Sequence, residues 1–331
     1  MGSAVSDSLA PSSPYTVVRV STAMRLAAAD RLVGGGEDTS RTGKRFLAAA
    51  EAHGINLTHM WASMEGSGRS MVVRQVALAV PGTGRTAMLF TSVPGTPAQQ
   101  EELGVVIDRA CTGLTSTMLA QALLESHEKA VRQAFVHAGF RDVGTLAYMR
   151  RVVPKAGELA KVESWPSDIT LRNWRQGDDA LLGAALERSY EATLDCPELC
   201  GLRETADVIA SHRGTGTFDP KLWWIVMLDG KPEGAMLFNP SPDQGSIELV
   251  YIGLSPALRG RGLGRLLVTH GLAHLCGRRE AWINCAVDRR NVPAMKLYDE
   301  AGFRAFAERV ALVRPLRAPR GQSVPGPEKP A

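Results

Sequence analysis

Arg259, Gly260, Arg261, Gly262 and Gly264 alternate through a short stretch between two apolar segments, residues 249–254 and 263–276. The segment ahead of them reads as a strand and the segment behind as a helix that opens at Leu263. A loop so placed gathers backbone N–H groups, a helix N-terminus and the guanidinium groups of Arg259, Arg261 and Arg265 around one point. That is a site for a pyrophosphate. Glycines at 260, 262 and 264 let the backbone approach the anion with no Cβ in the way. Two common phosphate loops are excluded. A P-loop needs Lys-Ser or Lys-Thr after its glycines, and neither follows here. A dinucleotide loop needs Gly-x-Gly-x-x-Gly, whereas the order here is Gly260-x-Gly262-x-Gly264.

The downstream sequence supplies the next two elements. Residues 281–287 read as a strand, and residues 291–303 as a helix with its stop. Asn291 suits the N-cap, Pro293 the first turn, and Gly302 the left-handed closing position. The order Arg259-x-x-Gly262-x-Gly264 after a strand, followed by Asn291, Tyr298 and Gly302-Phe303, resembles the two signatures of the GNAT N-acetyltransferase superfamily. The resemblance covers residues 168–315. It implies acetyl-CoA as co-substrate, gripped by residues 252–254, the loop 259–265 and Asn291, with splayed strands taking the pantetheine arm.

Acetyl transfer to an amine sets three chemical requirements: a proton must leave the amine, an oxyanion must be stabilised and a thiolate must be protonated. A lysine-like amine with a pKa near 10.4 costs roughly 4–5 kcal/mol to neutralise at pH 7. Glu248 stands on the strand just ahead of the loop and is the expected general base. A solvent-facing strand carboxylate is the plain alternative. Tyr298 matches the signature tyrosine, which the resemblance places beside the sulfur as the acid. Gly253 interrupts an apolar strand, where glycine marks a bulge or a close approach. The resemblance implies a bulge there, turning the N–H of Ile252 or Leu254 to the oxyanion. Relief of crowding is the other reading of Gly253.

The first half of the chain carries a second, altered copy of the pattern. Residues 85–94, a strand ending in Ser92-x-Pro94, resemble 249–256, a strand ending in Ser255-Pro256, and Ala138-Gly139-Phe140 repeats Ala301-Gly302-Phe303 at nearly equal distance. Helices are expected near 22–32, 43–53, 99–114 and from 126, with strands near 57–64, 70–80 and 116–123. Repeats of this kind mark tandem architecture. The altered copy places Pro97, Gln100 and Glu102 where Arg259, Gly262 and Gly264 stand, and Glu128 and Phe135 opposite Asn291 and Tyr298. It therefore loses the phosphate loop. Its expected work is structural, covering the sheet of the other copy or walling the acceptor cleft. Residues 81–86 read as a hairpin turn.

The expected fold is an α/β chain of two tandem GNAT-like domains, each a twisted mixed sheet flanked by helices. A degenerate domain spans 15–153, a linker 154–168 and an active domain 169–315, with disordered tails at 1–14 and 316–331. The two copies act as an internal pseudo-dimer in a monomer, or the chain forms a homodimer.

Composition agrees. The chain has 331 residues, 44% hydrophobic, with a net charge of +4, too small to imply nucleic acid. It contains no apolar run of membrane-spanning length. The five cysteines lack a Cys-x-x-Cys pair, and the N-terminus lacks the plan of a signal peptide, so a cytoplasmic protein is expected. No metal site is expected. Cys196 and Cys200 have no nearby partner, and His270 and His274 read as helix packing. The acceptor, a small-molecule or peptide amine, is expected to meet residues 195–203 and 219–224. Two alternatives stand beside this reading. One is a regulatory protein that binds acyl-CoA without turnover. The other is a mycothiol-synthase-like acetyltransferase, a family that pairs a silent GNAT copy with an active one.

Overall fold

The computed structural model describes residues 15–34, 39–158 and 164–317. The expected tails, apart from residues 316 and 317, and the middle of the expected linker lie outside these described residues. In chain order the first half holds β1 (Thr16–Arg19), α1 (Arg25–Val33), α2 (Thr39–Ala52), β2 (Met60–Glu65), β3 (Val72–Gly82), β4 (Thr86–Thr91), α3 (Pro97–Thr112), β5 (Leu119–Leu124), α4 (Lys129–His137) and β6 (Arg141–Val152). The second half holds β7 (Ile169–Asn173), α5 (Asp179–Tyr190), α6 (Thr205–Gly214), β8 (Trp223–Leu228), β9 (Lys231–Ser241), β10 (Ser246–Leu254), α7 (Leu263–Leu275), β11 (Trp282–Asp288), α8 (Val292–Glu300) and β12 (Arg304–Pro315). The chain is thus of the α/β class, as its sequence implies.

Packing divides the chain into two compact units. One is built from residues up to 80 with 89–115 and 128–140, the other from 81–88, 116–127 and 141 onward. In the first unit β1, β2 and β3 pair antiparallel. Met60, Ala62 and Met64 alternate along β2 and, with Val76 and Leu78 of β3, pack on Ala28 and Phe46 from the first two helices. The segment that corresponds to the arginine–glycine loop is helical here: α3 begins at Pro97, and the Thr96 hydroxyl caps it by accepting from the Gln99 N–H. Glu102 is buried on this helix and accepts from Ser63 Oγ at 2.6 Å and from the Arg74 guanidinium.

In the second unit the strand order is β4-β5-β12-β6-β11-β10-β9-β8-β7. The β4–β5 and β10–β11 pairs are parallel and the others antiparallel. The closing strands of the two sequence halves are exchanged. β12 pairs with β5 from the first half, and β6, which ends the first half, lies between β12 and β11.

The core follows the two-residue period of strands covered on both faces. Trp223, Ile225, Ala235 and Leu237 pack on Leu182, Ala185 and Leu186 of α5. Their neighbours Trp224, Val226, Met236 and Phe238 pack on the opposite side with Leu263, Leu267, Leu272 and Leu275 of α7. Each fully buried leucine stabilises the fold by roughly 1.5–3 kcal/mol. His270 and His274 join this side by packing on Trp224, with ring centres 5.3 and 5.1 Å away. No helix among the described residues is long and apolar enough to cross a membrane.

Two histidines in this unit tie stability to pH. Burial, assisted by Arg203 in one case and His274 in the other, pushes His212 and His270 down to about 4. In an unfolded chain histidine titrates near about 6.5. Between those values the unfolded chain binds more protons, so stability falls as the pH falls through that window. Urea unfolding should show a lower midpoint at pH 5 than at pH 7, and His212→Gln should flatten part of that slope. A level midpoint across the window would contradict the assignment.

Candidate functional site

β10 and β11 run parallel but pair at only three positions: Ser246 with Trp282, Ile247 with Ile283, and Glu248 with Asn284. Beyond Glu248 they part. β10 continues along β9 as far as Leu254 opposite Gly234, while β11 continues along β6 as far as Asp288 opposite Leu146. A register shift in β10 between Leu249 and Tyr251 accompanies the parting, as an extra residue bends a strand. The backbone groups that face each other across the gap are too far apart to pair, and so are left for a ligand or water.

The irregularity expected at Gly253 therefore falls two to four residues earlier, and Gly253 has a different use. A Cβ at this position would stand 2.2 Å from the Tyr251 hydroxyl. That hydroxyl meets Ser189 Oγ at 2.6 Å, and its ring packs edge-on to Tyr190. Gly253 seats this phenol. Ile252 and Leu254 turn to the other face and pack against the α7 core.

The loop after β10 has the backbone its glycines imply. Gly260 and Gly262 are left-handed, with φ of 75° and 76°, and a Cβ on either would meet no protein atom within 4 Å. Gly262 is also the N-cap of α7, whose opening N–H groups have no carbonyl of their own helix to bond. The cradle therefore fits a diphosphate: open space, permissive backbone and the positive end of a helix dipole. Leu263 is buried beneath it, and Gly264 comes within 3.4 Å of Leu297 when given a Cβ. The arginines divide their work. Arg259 donates to the carbonyls of Leu254 at 2.9 Å, Ala192 at 2.8 Å and Ser189 at 3.0 Å, which fastens the end of α5 to the end of β10. Arg261 pairs with Asp168 at 2.7 Å. Arg265 is exposed on the first turn of α7.

Glu248 sits where the strands begin to part. Its Oε1 accepts from Ser246 Oγ at 2.8 Å and Asn284 Nδ2 at 2.9 Å, leaving Oε2 without a partner among the described residues. Tyr298 lies across the core on α8, 4% exposed. Burial, then the charges of Cys285, Asp195 and Tyr251, raises its phenol well above the usual value, so it stays protonated at neutral pH. Asn291 caps α8 by accepting from the Ala294 N–H at 3.2 Å, and its side chain also bonds Asp195.

A charged node locks this end of the site. Asp288, fully buried at the end of β11, accepts from the Arg290 side chain, the Arg290 N–H and the Cys196 N–H. Burial alone would raise its carboxyl, but these bonds hold it below the usual value. Arg290 forks onward to Glu198 at 2.7 and 2.8 Å and to the Val143 carbonyl. The Asp288 N–H donates to Asp195 at 2.8 Å, whose carboxyl is pushed up by burial and the Asp288 charge. Cys196, left-handed at φ 45°, is buried here, and burial with the two aspartates pushes its thiol up to about 12. It remains a protonated thiol at neutral pH.

The structure thus brings Glu248, the 252–254 edge and the loop together along β10, and joins Asn291 to the expected acceptor segment through Asp195. Sequence reasoning did not single out Asp288, Asn284 or Tyr251. Asp288 stands one residue past the expected strand, and its acid-x-Arg-Asn sequence at a helix start was the available signal. Asn284 becomes significant only through its register with Glu248.

The Acetyltransferase (GNAT) family model matches residues 186–303. A mycothiol acetyltransferase of Acidothermus cellulolyticus is 31% identical over 242 residues, 66% of this chain and 72% of the relative. One from Gordonia bronchialis is 35% identical over 112 residues, 33% of this chain and 36% of the relative. The chain spans about a third to a half of the length of some curated relatives that it matches. A crystal structure of a GCN5-related N-acetyltransferase from Sphaerobacter thermophilus superposes with a TM-score of 0.57 at 16% identity, covering 92% of this chain and 96% of that one.

The node predicts a measurable coupling. Asp288→Asn strips a buried charge from Arg290 and weakens the tie to the Cys196 N–H, and should destabilise the fold by about 2–4 kcal/mol in denaturant titration. A loss within about 0.5 kcal/mol would mean that the node holds nothing.

Proposed function

Because the chain belongs to the GNAT acetyltransferase family, we propose that its second half moves the acetyl group of acetyl-CoA directly onto an amine, with Glu248 as base and Tyr298 as proton donor. One observation carries this reading: Glu248 is the last residue at which β10 and β11 pair, so its carboxylate stands at the mouth of the gap. The bound co-substrate supplies the activated acyl group as a thioester. The glycine cradle at 260–264 and the N-terminus of α7 would hold its diphosphate, and the parted strands its pantetheine arm.

Glu248 Oε2 accepts the proton of the incoming ammonium, directly or through a water, while Ser246 and Asn284 hold Oε1 in place. This offsets part of the roughly 4–5 kcal/mol needed to present a neutral amine at pH 7. Backbone N–H groups of β10 in the stretch 250–254, freed by the parting, stabilise the oxyanion. Tyr298 then gives its hydrogen bond, and finally its proton, to the departing sulfur. A second reading, that the acceptor is that of a mycothiol acetyltransferase, rests on the names of the relatives.

CoA release and isothermal calorimetry test the scheme together. Tyr298→Phe should lower kcat by about 100-fold and change acetyl-CoA affinity little, and Glu248→Gln should lower kcat by about 100- to 10,000-fold. Arg259→Ala with Gly264→Glu should abolish acetyl-CoA binding. Unchanged CoA release by that double variant would refute the site, and tight CoA binding with no turnover by the wild type would favour a regulatory role.

A further inference from the structure

One face of the sheet in the second unit carries an unspent cation beside the proposed base. Ile283, Cys285 and Val287 of β11, and Ala147 and Met149 of β6, point into the core with α7 and α8. The alternate residues Asn284 and Arg150 therefore lie on the opposite face, as does Glu248, which bonds Asn284. Register aligns them in one row across three strands: Glu248 beside Asn284, and Asn284 beside Arg150. The face is open at this end, where Arg150 is exposed and Phe306 is 50% exposed.

Arg150 is held but not neutralised. Its guanidinium carbon lies 4.3 Å from the Trp282 ring centre and 5.0 Å from that of Phe306. Stacking of this kind fixes the planar group while leaving its N–H edge available. It forms no hydrogen bond or ion pair with any described residue, unlike Arg259, Arg261 and Arg290. Arg304, in register with it on β12, is bonded to the carbonyls of Asp299 and Phe303. Strands lie about 4.8 Å apart, so Arg150 starts about 10 Å from Glu248. Trp282 on β11 and Phe306 on β12 hold the guanidinium between them, over β6 itself, so about that separation is left for an acceptor to span.

We infer that Arg150 receives an anionic group of the acceptor, so that the acceptor is a small zwitterion whose amine meets Glu248 and whose carboxylate or phosphate meets the Arg150 fork. A guanidinium fork matches either anion in bidentate fashion. The inference rests on Glu248 being the base, as proposed above. It adds selectivity: of two equally sized amines, the one that also carries an anion is taken.

Matched pairs read this selectivity in the full chain with acetyl-CoA: β-alanine against β-alaninamide, L-alanine against L-alaninamide, and phosphoethanolamine against ethanolamine. CoA release should favour the anionic member of at least one pair by tenfold or more in kcat/KM, and the pair that responds identifies the anion. Arg150→Gln should erase that preference through KM, and Arg150→Lys should keep part of it. Comparing variant with wild type cancels the differing basicity of the paired amines, and calorimetry with CoA shows that the variants are folded. A wild type without preference, or a preference that survives in Arg150→Gln, overturns the inference alone. CoA binding without release by any amine overturns the acetyl-transfer reading, and this inference with it.

Discussion

The site depends on two neighbouring parallel strands being kept apart. Unpaired N–H and C=O groups inside a sheet are costly, so β10 and β11 would close on each other unless each were committed elsewhere. β9 holds β10 through Leu254, and β6 holds β11 through Asp288. The register shift at Leu249–Tyr251 turns β10 away at the same level. The gap is therefore a product of the sheet, and Glu248, the open backbone and the loop fall along one strand because that strand forms one wall.

The distribution of charge follows from the same geometry. Buried carboxylates in this fold are matched: Asp288 by Arg290, Glu102 by Arg74, and Asp207 by Arg85. Such pairs contribute position more than net energy, since desolvation offsets most of the attraction. Arg259 does comparable work on neutral carbonyls, at a helix C-terminus that favours a cation. Against this background the unfilled oxygen of Glu248 and the unpaired fork of Arg150 stand out, because nearly every other charge near the gap already has a partner. A face that leaves one group of each sign unspent is prepared for a ligand that carries both.

Local features were legible in the sequence. The left-handed glycines at 260 and 262, the Asn291 cap, and the hairpin turn between β3 and β4 each depend on a few adjacent residues, and each is where spacing put it. Glu102 falls on a helix where the other half has its glycine loop, and its pairing with Ser63 and Arg74 could not be read from spacing. Long-range pairing was not legible. The apolar pattern of β6 says that it is a strand with one buried face, and nothing in it names β11 and β12 as neighbours. Gly253 shows the limit most sharply. A glycine in a strand signals that something comes close, but only the structure shows that the intruder is the phenol of Tyr251, two residues away on the same strand.

The exchange of closing strands makes the second half's sheet depend on the first half. β6 belongs to the first half by sequence, yet it packs Ala147 and Met149 into the core beneath the site and pairs with β11 along seven consecutive residues. β12 in turn is bounded by β5 and β6, both from the first half. A chain beginning at residue 169 would keep Glu248, Tyr298 and the whole loop. It would still lose β6, the strand that holds β11 away from β10, and would expose long unpaired edges. Two strands of the first half are thus part of the sheet in which β10 and β11 part.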